Sequence, residues 1–249
     1  AIDMSRPAFF RIGYNAGTQE LFLAYDLGLA PEKSSARVRF CEFSFDGADP
    51  ATGFRRALAA YYGLFPEQFR CRTPEQGLWM PFAAISKVKG WEDFGFKFKE
   101  GNDETAWDDR HGVLTFRYTE PMTWWMAMPK ETPRTLDAAL AEARRLAEKG
   151  NPEAQALLTS GYHDAEGRIP ARLLDTPWCN GAVWSMNSMP GVSGQRTDFL
   201  NKWNAQLRER LYGKDRRGDL DGEYIDSSEG YVTDVLDFRR DHFAAADTP

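Results

Sequence analysis

The sequence predicts an α/β chain: about four βα units forming half of a parallel (β/α) barrel, preceded by the end of a β-sandwich domain. Three observations predict it. Short apolar runs alternate with helical patterns from residue 77 to 246, and repeated βα units imply a parallel sheet covered by helices. No Gly-x-Gly-x-x-Gly follows any of these runs, so a nucleotide-binding sheet lacks its fingerprint. Residues 1–46 hold only short β-type runs, too few for a sandwich of their own. The expected domains are therefore 1–48, the C-terminal part of the sandwich, and 49–249, the N-terminal half of the barrel.

In the first segment, Phe9, Phe10 and Ile12 lead to Gly13, and Leu21 to Tyr25 form a second run. Arg37 to Phe40 alternates with period two, and Phe43 and Phe45 resume it one register later, as a bulge at Cys41-Glu42 would allow. After a turn-rich linker, Thr52 is placed to cap a helix with Phe54, Ala57, Leu58, Tyr61 and Tyr62 on one face. Gly77 to Phe82 is the first barrel strand. Residues 91–110, with Glu100, Asp103, Glu104, Asp108 and Asp109, read as a long acidic loop.

Gly112 to Thr119 is the second strand, ended by Glu120-Pro121, and Thr123 to Met126 follow. Thr135 opens a helix carrying Leu136, Ala139, Leu140, Ala143, Leu146 and Ala147 at helical spacing, closed by Gly150 and Pro152. Residues 160–181 are loop-rich, and Ala182 to Asn187 is a third strand. Thr197 caps a helix with Phe199, Leu200, Trp203, Leu207 and Leu211 inward. Asp219 to Asp226 is the fourth strand, and 231–246 is its helix. A full barrel needs eight such units and about 250 residues, so the expectation is a fragment of a longer enzyme.

Composition narrows the partners. Net charge is −6 and no Lys/Arg cluster stands out, which argues against nucleic acid and anionic membrane. No apolar run approaches the length of a membrane span. The three cysteines and three histidines are scattered, so neither a disulfide framework nor a zinc site follows, and no cofactor is expected. Localisation stays open: the chain starts at Ala1, and a signal peptide in the full-length protein would send it to the periplasm or outside the cell.

Chemistry concentrates in Asp219 to Gly230, where five acidic residues occupy twelve positions. On a strand, Gly222, Tyr224 and Asp226 share one face, and Asp221, Glu223 and Ile225 the other. Asp226 stands last, at the C-terminal rim, where barrels carry their catalytic groups. A solvated acidic turn is the plainer alternative. A calcium loop fails on spacing, because Arg217 and Ser228 would fall at ligand positions.

Asp-Gly-x-x-x-Asp on a fourth barrel strand resembles the nucleophile strand of α-amylase-type glycoside hydrolases, with Tyr224 where that family has Arg. The phrase Tyr61-Tyr62-Gly63-Leu64-Phe65-Pro66, ahead of the barrel segment, resembles a bacterial multidomain layout of sandwich followed by barrel. This resemblance implies hydrolysis of an O-glycosidic bond of an oligo- or polysaccharide, with Asp226 as nucleophile. A second carboxyl is required, and Glu120, Glu229 or a residue in the other half of the barrel would supply it. Tyr224, Trp124, Trp125, Trp178, Asp175 and Asn187 are the candidate sugar-binding groups. Trp79 and Trp184 are expected to pack in the core. The rival from another class is a non-catalytic carbohydrate-binding protein on a degenerate barrel.

Overall fold

The computed structural model describes all residues except 9, 32, 48, 74, 193, 195, 217, 218, 228–235, 244 and 246–249. The described chain forms two compact units, one within residues 1–74 and one spanning Glu75–Ala245.

In the first unit, β1 (Arg11–Asn15) and β2 (Glu20–Ala24) make an antiparallel hairpin. Asn15 turns it, its side-chain oxygen accepting from the amides of Gly17 and Thr18. The alternating run at 37–45 adds no strand; Phe40 makes a single bridge to Ile2. Without a long partner, alternation alone does not hold a strand. Helix α1 (Gly53–Leu64) belongs to this unit. The Thr52 hydroxyl, expected to cap it, donates instead to Asp49. Tyr61 of α1 donates to the Ile2 carbonyl at 2.6 Å and stacks on Phe43.

The second unit begins with β3 (Leu78–Met80), β4 (Phe96–Glu100), α2 (Thr105–Arg110) and β5 (Leu114–Thr119). β4 and α2 lie in the stretch expected to be loop, and the reason is Lys99. Its ammonium is fully buried on β4 and meets Asp103 at 2.6 Å, Asp108 of α2 at 3.0 Å and Glu104 at 3.6 Å. Three of the acids that suggested a solvated loop, Asp103, Glu104 and Asp108, are the counter-charges of a buried cation.

The chain then builds β6 (Thr123–Ala127), α3 (Leu136–Glu148), α4 (Pro152–Ser160), β7 (Ala171–Asp175) and β8 (Asn180–Ser185). The Thr135 hydroxyl accepts from the Ala138 amide and caps α3 as expected. Pro152, expected to stop that helix, opens α4 at its first turn behind an Asn151 cap. Strands β6, β8 and β7 form an antiparallel sheet in that order. The run 182–187, expected as a parallel barrel strand, belongs here instead. It pairs along its length with both neighbours, and Gly181 permits the approach, since a Cβ there would sit 2.0 Å from the Met126 carbonyl oxygen.

Next come α5 (Asp198–Lys202), α6 (Ala205–Tyr212), β9 (Gly222–Ile225) and α7 (Arg240–Phe243). The helix expected from Thr197 is divided because Trp203 leaves helical geometry and Asn204 caps a second start. Part of the helix expected at 231–246 lies outside the described residues; α7 lies in the remainder. Strand β9 returns to the first sheet, which is parallel with order β3-β4-β5-β9. The second unit is thus a four-stranded parallel sheet into which an antiparallel three-stranded sheet with its own helices is inserted between β5 and β9.

The main core lies between the inserted sheet and α3 and α4. Met126, Met128, Ala139, Ala143, Ala156, Leu157, Ala182, Trp184 and Met186 form one buried cluster. Trp184 is fully buried there, as the sequence led us to expect. Replacing it with Ala is expected to lower unfolding free energy by about 3–5 kcal/mol, the range for truncating a buried aromatic. The midpoint of urea unfolding reads this; an unchanged midpoint would contradict the packing described.

Candidate active site

Parallel strands end on one side, so whatever follows β3, β4, β5 and β9 gathers at one edge of the sheet. The registers Glu100↔Phe116, Tyr118↔Tyr224 and Phe116↔Gly222 sort the side chains into two faces. One face carries Lys99, Thr115, Arg117 and Glu223. It is tied to the helices: Asp108 of α2 holds Lys99 and Thr115, and Tyr212 of α6 donates to Glu223. Glu223 also binds Arg117 at 2.7 Å. It is spent on the fold and turned away from Asp226.

The other face is aromatic. Trp79 packs on Tyr224 at 4.9 Å and on Phe116 at 5.6 Å, and Tyr118 lies 5.8 Å from Tyr224. Glu100 ends β4 on this face, Glu120 follows β5, and Asp226 follows β9. Three carboxyl groups therefore stand at the ends of three adjacent strands.

Tyr118 links them. Its hydroxyl donates to Asp226 at 3.0 Å. Burial, then the charge of Glu120 and the bond to Asp226, raise its pKa far above the usual phenol value, so it stays a proton donor. Glu120 accepts from the Trp125 indole at 2.6 Å. Lys202 donates to the backbone oxygens of Glu120 and Thr123 and pairs with buried Asp198, which pins the turn carrying Glu120. The Asp226 amide donates to the Thr119 carbonyl and extends the β5–β9 ladder one step past the strand.

Glu100 is the residue that sequence reasoning passed over. It is 4% exposed, and its Oε1 has no hydrogen-bond partner among the described residues. Burial, then the charge of Asp226, push its carboxyl above the usual range. The available signal was Phe96-Lys97-Phe98-Lys99-Glu100-Gly101, a short alternating run that ends in a carboxylate and a glycine.

A raised carboxyl destabilises the fold where the unfolded chain would ionise. Stability is lost as pH rises from the unfolded pKa through the higher folded one, and is level above it. Glu100→Gln removes that loss. The variant is expected to match wild type in urea near pH 4 and to be the more stable protein at pH 8. An identical gap at both pH values would contradict the burial of an unpaired carboxyl.

Backbone strain marks the same edge. Among the described residues, non-glycine positive φ occurs at Gln19, Phe82 and Ser227. Phe82 follows β3 and Ser227 follows Asp226, so two of these costly conformations stand on the site's loops. Phe82 was expected within a buried strand; it is 81% exposed, with its ring 6.2 Å from Tyr118. It presents a flat apolar face beside the carboxyl groups.

The other candidates separate. Tyr224 and Trp125 touch this cluster. Trp124, on the opposite face of β6, packs against the buried core. Asp175 and Trp178 lie at the Asn180 end of β8, whereas Thr123 beside the site pairs with Ser185. Those ends are about 16 Å apart along the strand. The Asn187 amide donates to Asp237 and its oxygen accepts from Met189, so it is engaged within the fold. Glu229 lies outside the described residues. A cavity of about 620 Å³ is walled by Pro121, Met122, Asn187, Ser188, Phe199 and Trp203, without Glu120.

Among the described residues, no three His, Cys, Asp or Glu side chains are grouped to hold a metal ion. No helix there is long and apolar enough to cross a membrane. No protein-family model, curated protein or solved structure matches the chain. The site's own groups are carboxyls at unequal depth, a tyrosine donor and an exposed aromatic face.

Proposed function

We propose that this chain is part of a glycoside hydrolase that cleaves O-glycosidic bonds in an oligo- or polysaccharide, with Asp226 as the carboxylate nucleophile. The observation that carries the reading is that Glu120 and Asp226 follow the adjacent parallel strands β5 and β9 in register, with Tyr118 bonded to Asp226 and Glu100 ending the next strand, β4. Glycoside cleavage uses two carboxyl groups flanking the scissile bond, one to protonate the leaving oxygen and one to meet the anomeric carbon. Phe82, Tyr118, Trp125 and Tyr224 supply the flat faces and donors that a sugar ring needs. Tyr118 orients Asp226 and stays protonated while doing so.

The same reading takes β3, β4, β5 and β9 as the first four strands of a (β/α) barrel. Their parallel order follows the chain, and their site lies at the carboxyl ends, where such barrels work. The aromatic face of Trp79, Phe98 and Phe116 would then line the barrel interior, and the partner of this half would be the rest of the barrel.

The test is turnover of aryl glycosides and reducing-end release from oligosaccharides, with Asp226→Asn as control. An enzyme loses turnover in the variant and keeps sugar binding. Sugar binding with no turnover in wild type would favour a carbohydrate-binding protein instead.

A further inference from the structure

We propose that Phe82 is the stacking platform of a second sugar subsite, holding a pyranose residue next to the one that Asp226 attacks. The assignment rests on the hydrolase reading above and extends it along the substrate chain. Phe82 is 81% exposed and takes a positive φ of 54°. A bulky side chain in left-handed backbone is strained, and such strain persists only where the surroundings enforce it. A ring left in water buries no apolar surface, so the core does not offset that strain.

The loop is built to hold the ring in place. Strand β3 ends two residues earlier, at Met80. Ala84 and Ile85 beyond it are buried. The Ser86 amide and hydroxyl both donate to Glu104, at the start of α2. The chain is thus fixed on both sides of an exposed ring.

Position ties the ring to the chemistry. The Phe82 ring lies 6.2 Å from that of Tyr118, tilted by 50°. The Tyr118 hydroxyl donates to Asp226 at 3.0 Å. One side chain therefore bridges the platform and the attacking oxygen. Strands β4 and β9 flank β5 on opposite sides, and β3 lies beyond β4. Phe82 reaches Tyr118 from the β3 side and Asp226 reaches it from the β9 side. A sugar against the Phe82 ring is displaced across the sheet from the one whose anomeric carbon meets Asp226, as consecutive residues of one oligosaccharide are. The ring itself sets the ligand class. Phenylalanine offers a flat apolar face and no polar handle. What fits it is a pyranose presenting a face of C–H bonds, within a chain of at least two residues.

Two measurements test this. In the first, reducing-end release from gluco-, galacto-, manno- and xylo-oligosaccharides of two to six residues, in both anomeric linkages, is set beside turnover of 4-nitrophenyl monoglycosides of the same sugars. The KM of Phe82→Ala, relative to wild type, is expected to rise roughly 3–10-fold more on the oligosaccharides than on the monoglycosides, the size of one aromatic face contact. Its kcat on the oligosaccharides is expected to fall less than KM rises. Phe82→Tyr, which keeps the ring, is expected to keep the wild-type KM. An unchanged oligosaccharide KM in Phe82→Ala, an equal rise on both kinds of substrate, or a Phe82→Tyr that behaves as Phe82→Ala overturns the platform while the hydrolase reading stands. No wild-type turnover of any substrate overturns both. In the second, urea midpoints are compared. Phe82→Ala is expected to unfold where wild type does, and Phe82→Gly at no lower urea, because glycine takes positive φ without strain. A midpoint that falls in Phe82→Ala would mean that another part of the protein packs on the ring, and overturns the proposal whatever the kinetics show.

Discussion

Replacing Asp226 with Asn is expected to lower turnover on the order of 10⁴-fold or more, the scale on which loss of a nucleophile is felt. Asn is close to Asp in volume, so the Tyr118 hydroxyl and the Thr119 carbonyl keep partners at this position. What disappears is the carboxylate oxygen proposed to attack the anomeric carbon. Because the ring faces of Phe82 and Tyr224 are untouched, sugar binding is expected to persist, so kcat falls and affinity does not. Steady-state kinetics and equilibrium titration with the same sugar separate the two. A parallel fall of both would mean that Asp226 serves binding or folding rather than chemistry.

Replacing Lys99 with Met is expected to lower unfolding free energy by about 3–5 kcal/mol, the range for removing one partner of a buried ion pair. Lys99 has no exposed side-chain surface, and Asp108 opposite it has none either. Burial alone would drive the ammonium toward its neutral form, but hydrogen bonds to Asp103 and Asp108 and their charges outweigh it and raise its pKa. Without Lys99, Asp108 is left buried with its charge uncompensated, between α2 and β5. The double change Lys99→Met with Asp108→Leu is expected to recover most of the loss, because it removes both charges together. Urea midpoints of the three proteins measure this cycle, and a single variant as stable as wild type would contradict it.

The last strand was legible because its side chains alternate cleanly. Tyr224 and Asp226 were assigned to one face and Glu223 to the other, and Glu223 indeed turns toward Arg117 and Tyr212. The α3 helix was legible for similar reasons, a cap at Thr135 followed by regular apolar spacing. β4 was hidden because Lys99 looks like a surface residue until Asp103, Glu104 and Asp108 are brought around it. That is a tertiary arrangement with no local signature, and Glu100 was hidden with it. The run 182–187 has the composition of any buried strand, and nothing in it distinguishes parallel from antiparallel pairing. Its direction is decided by β6 and β7 on either side. Glu120 was legible as a rim residue after a strand, but its bond to Trp125 depends on the turn that Lys202 pins from α5.

The central claim is that Asp226 attacks an anomeric carbon, and covalent trapping tests it most directly. The protein is incubated with activated 2-deoxy-2-fluoro and 5-fluoro glycosides of the common hexoses, which form the glycosyl ester quickly and release it slowly. Intact mass and peptide mapping then locate the sugar. The account predicts one sugar per chain, on the peptide containing Asp226, and none on the Asp226→Asn variant. A sugar carried by Glu120 or any other carboxylate, or no adduct with any of the probes, would contradict it.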